Sequence, residues 1–184
     1  MIKMFYDNDI KIAGNRPSDS IKRNNLSAVS GEVLPETTLT AAKELGAAVA
    51  EKFSVASNAY TDAVEESDAN MMAQRILLLS FTVTAVLESS LLNETVAGVA
   101  QKSFLDTVKK NYKDIYQYTS DTGAFTFYYL AYRRGSEIER RIGQTFAMLC
   151  GHDGDPIYQE LGEVLFCWFS SEVKAIAEQF SLAK

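Results

Sequence analysis

From Pro35 onward the apolar positions recur at spacings of three and four, the period of a helix that buries one face. Leu39, Ala42, Gly46, Val49, Phe53, Ala56, Tyr60 and Ala63 make the first such stripe, and half of those positions are Ala or Gly. Small side chains let a partner helix approach closely, so this helix is expected to pack tightly along its length. Asp62, Glu65, Glu66 and Asp68 follow; acids oppose the dipole at a helix C-terminus, which places the stop near Val64 and makes Asp68 the next N-cap.

The second pattern, about Ala69 to Leu92, is apolar almost all round through Ile76-Leu77-Leu78-Leu79-Ser80-Phe81-Thr82-Val83. A helix without a polar face is surrounded by protein, so it is either the central helix or part of an oligomer interface. Asn93 can cap a short helix to about Lys102, and Ser103-Phe104-Leu105-Asp106 reads as a capping box that opens another. Phe104, Leu105, Val108, Tyr112, Ile115 and Tyr116 are its expected buried face.

Thr119 to Gly123 reads as a turn, after which an aromatic helix runs through Phe125, Phe127, Tyr128, Tyr129, Leu130 and Tyr132 to Arg133-Arg134-Gly135. Ser136-Glu137-Ile138-Glu139 reads as a full capping box for a helix bearing Ile138, Ile142, Phe146 and Leu149, with its stop at Gly151. Asp155-Pro156 supplies a cap and a first-turn proline for the last helix, whose inner face is read as Leu161, Leu165, Trp168, Val173, Ile176 and Phe180. The expectation is an all-α, single-domain antiparallel bundle of six or seven helices over residues 35–184, since short connections place neighbours antiparallel.

Residues 1–34 differ: Gly, Pro, Ser and Asn are dense, and the pattern there is an irregular leader, with a small hairpin around Asp7-Asn8-Asp9 as the alternative. Charge divides at the same place. Five basic and four acidic residues give +1 over residues 1–34; thirteen basic against twenty acidic give −7 over 35–184. The acidic whole, −6 over 184 residues, disfavours nucleic acid held by charge. Two cysteines, Cys150 and Cys167, make no disulfide framework, and the acids after Met4-Phe5-Tyr6 do not suit a secretory signal. The longest uncharged apolar run, Ile76 to Leu87, falls short of the ~20 residues of a membrane span. A soluble, cytoplasmic protein is expected, without a membrane partner or cofactor.

A single histidine, His152, excludes paired Glu-x-x-His metal sites and an HExxH hydrolase. No Gly-x-Ser-x-Gly elbow, Walker A loop or GxGxxG turn occurs. Glu160-x-x-Glu163 and Glu65-x-x-Asp68 are the acidic pairs from which a carboxylate–magnesium enzyme would have to be built, and solvated helix faces account for both. Cys150 and His152, with Asp153 or Asp155, are weak metal ligands: the spacing is no recurring zinc pattern, and Gly151, Asp155 and Pro156 explain the segment as a turn.

Two constellations point to binding. Arg133, Arg134, Ser136 and Arg141 could hold a phosphate or carboxylate at the N-terminus of the helix that begins near Ser136; Arg133-Arg134-Gly135-Ser136 also has the form of a basophilic kinase site. Phe127, Tyr128 and Tyr129 are consecutive, so they cannot all face one way on a helix, and Tyr128, Tyr129 and Tyr132 are the aromatic candidates for a contact surface. The leading expectation is a non-enzymatic interaction protein that binds a protein partner through an aromatic and acidic surface and can self-associate as a homo-oligomer. The rival is a small-ligand-binding regulator with an inter-helix pocket and an arginine-lined anion site.

Overall fold

A computed structural model of the chain describes residues 34–58, 69–120 and 122–183. The leader or hairpin expected over 1–34 lies outside these residues except for Leu34, the first one described. Tyr60 and Ala63 of the first stripe, the stop near Val64 and the Asp68 cap lie outside them as well. Among the described residues seven helices pack against one another: α1 (Glu36–Asn58), α2 (Ala69–Ser90), α3 (Glu94–Asn111), the one-turn α4 (Lys113–Tyr116), α5 (Thr122–Arg133), α6 (Ile138–Leu149) and α7 (Pro156–Gln179). A 3₁₀ turn, Gln117–Ser120, joins α4 to α5. Among the described residues there is no strand, only an isolated antiparallel bridge between Leu91 and Ala183.

The all-round apolar character of α2 has a direct cause. Ile76, Leu79, Val83, Val86 and Leu87 enter one core with α1, α3 and the C-terminal half of α7. Leu77, Leu78, Phe81 and Ala85 enter a second core with α5, α6 and the N-terminal half of α7. Its own chain buries the helix on both sides, which accounts for the missing polar face without a second copy. Taken whole, the helix is long and apolar enough to cross a bilayer, although its uncharged run alone is not, yet 67 % of that window lies inside the protein. Thr82 Oγ1 donates to the Leu78 carbonyl at 2.8 Å within the helix, and buried Arg75 donates from Nη2 to the Ala56 carbonyl of α1 at 2.8 Å.

The small-residue stripe of α1 does what its pattern predicts. At Gly46 a methyl group would fall onto the Ala100 carbonyl oxygen and crowd Ser103 and Phe104, so α1 and α3 touch backbone to backbone there. This contact explains why the capping box expected at Ser103 does not form. The Ser103 hydroxyl donates across the seam to the Lys43 carbonyl at 2.6 Å, and α3 continues unbroken from its Asn93 cap, whose Oδ1 accepts from Val96 N at 2.9 Å. Leu105, expected inside, is exposed.

A second close approach joins α6 to α7. A methyl at Gly143 would meet the Gln159 carbonyl oxygen, and one at Gly162 would strike the Phe146 side chain. The last helix starts as expected, with Asp155 Oδ1 accepting from Ile157 N at 2.8 Å and Pro156 in its first turn. Its inner face is shifted from the expected one. Gly162, Leu165, Phe166, Phe169, Ser170, Val173 and Ala177 are buried, whereas Trp168 faces outward. The expected stripe needed a step of five between Trp168 and Val173, which no single helix face supplies.

Candidate functional site

Helix α5 presents three faces, each set by its spacing. Ala124, Tyr128 and Ala131 face inward and are buried. Phe127, Leu130 and Arg134 look toward α6, while Tyr129, Tyr132 and Arg133 look toward α2. The three consecutive aromatics therefore divide as their periodicity demands, but the partition corrects one candidate. Tyr128 is no contact residue: it is fully buried and stacked on Phe81 at 5.5 Å between ring centroids. Its hydroxyl has no hydrogen-bond partner among the described residues, and burial, with a smaller contribution from Cys150, pushes its pKa well above that of an ordinary tyrosine.

On the α2 side, the Arg133 guanidinium lies over the Tyr129 ring at 5.5 Å, and half-buried Tyr132 packs edge-on against Phe81 and Phe166. Arg133, Tyr129, Tyr132 and Phe81, with Thr84 and Glu88, line a small cavity of ≈ 190 Å³. On the opposite side, Phe127 and Leu130 of α5 and Arg134 just after it meet Arg141 and Met148 of α6 around a cavity of ≈ 330 Å³, with Asp153 in its lining. Arg134 and Arg141 thus share one wall, and Arg133 belongs to another.

The helix N-terminus expected to complete the anion site is different from its sequence reading. Ser136 does not cap α6. Glu137 occupies the cap position in the left-handed region, φ 50°, after Gly135 at φ 78°, and makes no side-chain cap. The chain makes its turn with two positive-φ residues in close succession, which leaves Ser136 one residue short of the cap position. Its hydroxyl instead accepts from Arg141 Nη2 at 3.3 Å, and Glu137 pairs with Arg140 at 3.4 Å. An anion at the first turn of α6 would therefore meet the carboxylates of Glu137 and Glu139.

Cys150 and His152 do not converge on a metal site. Cys150 is buried at the C-terminal end of α6, while the exposed His152 ring stacks on Tyr158 at 3.8 Å between centroids. Among the described residues no group of three or more His, Cys, Asp or Glu side chains is arranged to hold a metal ion. Cys167 is exposed on α7; partial burial first, then Glu139 and Glu163, raise its thiol pKa.

A wider groove of ≈ 690 Å³ runs between α1 and α3, where Lys43, Lys102 and Lys110 alternate with Glu51 and Asp106. Mixed charge and open walls make it a solvated seam.

The residues that sequence reasoning missed lie on the outward face of α7. Ile157, Val164 and Trp168 are 73 %, 56 % and 39 % exposed, and half-buried Leu161 lies between the first two. Their steps of four, three and four put them on one stripe opposite the buried face. The signal was present in the sequence as a second apolar period interleaved with the first.

Compared with known proteins, the chain matches no family model, no curated protein and no solved structure.

Proposed function

We propose that this protein works by docking another protein onto the outward face of α7. The observation that carries this reading is the row of exposed Ile157, Val164 and Trp168 with half-buried Leu161 among them, since large apolar side chains in a row on an otherwise polar helix face mark a contact surface. Trp168 would act as the anchor, an aromatic that buries much area at small entropic cost. The edges indicate the partner's chemistry. Helix α7 carries Glu160, Glu163, Glu172 and Glu178 against the single base Lys174, and Glu172 is already held by Lys52 at 2.8 Å. The complementary occupant is an amphipathic helix with an apolar stripe and basic flanks. A second copy of the chain fits less well, because α7 against α7 sets its acids against acids.

Trp168, the chain's one tryptophan, reports the docking directly. Titration with a Leu/Lys amphipathic helical peptide should give a saturable blue shift of its emission that weakens with salt; a Leu/Glu peptide of the same pattern should give none. Val164→Asp should abolish the shift while leaving the fold intact. Equal response to both peptides, or none to either, would remove the proposal. A blue shift that grows with protein concentration alone, with doubling of the native mass, would give this face to a second copy.

A further inference from the structure

We propose that the cavity between α5 and α6 is a binding site for a small apolar monocarboxylate. It is independent of the α7 surface. Three observations meet there. The volume, ≈ 330 Å³, lies at the lower end of the roughly 300–1,000 Å³ of small-molecule pockets. Its apolar wall is exposed: Phe127, Leu130 and Met148 are 51 %, 53 % and 39 % accessible, an arrangement with no stabilising role in the free protein.

The third observation is the state of its arginines. Neither Arg134 nor Arg141 takes part in an ion pair among the described residues, and Arg141 Nη1 is buried with no acceptor. A buried donor without a partner has given up its water and received nothing in return. The one hydrogen bond from this guanidinium to a side chain is the long 3.3 Å contact with Ser136. A carboxylate entering the cavity and drawing the guanidinium toward it would supply the missing acceptor, with Arg134 as the second cation on the same wall.

The rest of the lining selects among anions. Asp153 is exposed at the same cavity and offsets one of the two arginines, leaving one net positive charge that a monoanion neutralises and a dianion such as phosphate exceeds. The apolar wall requires the carboxylate to carry an alkyl or aryl group. Inorganic phosphate satisfies neither condition.

Calorimetric titration of the full chain with octanoate tests this, with 1-octanol and phosphate as controls. Octanoate should bind saturably, and both controls should bind at least about tenfold more weakly, the worth of one charge-assisted hydrogen bond. Arg141→Gln and Arg134→Ala should each weaken octanoate by about tenfold or more. Arg134 is exposed, so its variant keeps the test valid if Arg141→Gln fails to fold. Leu130→Asp should remove octanoate binding as well. Absence of octanoate binding, equal binding of 1-octanol, or undiminished binding by Arg134→Ala would overturn the proposal.

Discussion

The two cores on either side of α2 solve the packing problem in opposite ways. The α1–α3 side is closed by small residues and aliphatics: Ala42, Gly46, Ala50, Ala97 and Ala100 bring the backbones together, and Phe53, Phe104 and Phe169 fill the remaining space. The α5–α6 side is built around aromatics, and at its edge lies Arg141 Nη1, buried without an acceptor among the described residues. Close-packed backbones leave only an open groove of mixed charge along their seam. Large rings on short helices leave gaps at their edges, and that is where the arginine-lined cavity lies. The aromatic half is the one whose cavity combines an exposed apolar wall with arginines.

The largest effect is expected from opening the tight side. Phe53→Ala removes a fully buried ring that meets Phe104 edge-on at 5.3 Å and should cost about 3–5 kcal/mol in chemical denaturation. Gly46→Ala should cost about 1–3 kcal/mol, because the backbones must separate although alanine favours helix. A gain in stability from Gly46→Ala would show the seam to be looser than the aromatic side. Tyr128→Phe probes that other side in the opposite sense. It deletes a buried hydroxyl without a partner, so stability should hold or rise by up to about 1 kcal/mol.

Smaller effects separate surface from core. Val164→Ser should change stability by no more than about 0.5 kcal/mol, as expected for an exposed position, while abolishing the peptide response of Trp168. Cys167 gives a kinetic readout. Its raised pKa lowers the thiolate fraction at neutral pH, so thiol labelling should accelerate with pH through a midpoint above that of an ordinary thiol. Glu163→Gln should move that midpoint down; no movement would leave burial and Glu139 as the causes.

Much of the architecture was legible because helix period and caps are local properties. The Asn93 and Asp155 caps, the left-handed Gly135 and Gly151, and the limits of α2 depend on residues a turn apart. The errors arise where two local readings were available. Ser103 and Ser136 each had a legitimate capping context, yet one hydroxyl was taken by the Lys43 carbonyl and the other by Arg141. On α7, two interleaved apolar periods let Trp168 stand in for Phe169 in the expected core. The close approach at Gly143 and Gly162 was marked only by glycines inside helical patterns.

The candidate site divides along the same line. That Phe127, Tyr128 and Tyr129 must point in different directions follows from the helical period alone. Which of them is buried depends on where α2 lies, and Phe81 chose Tyr128. Likewise, four arginines cluster around one turn in the chain, but the geometry of Gly135 and Glu137 set Arg134 and Arg141 on one cavity and turned Arg133 to Tyr129. The helices could be read from the chain because each is written in hydrogen bonds and side-chain periods within a few residues. Which of their faces met could not, because burial is a competition among surfaces that only the fold brings together.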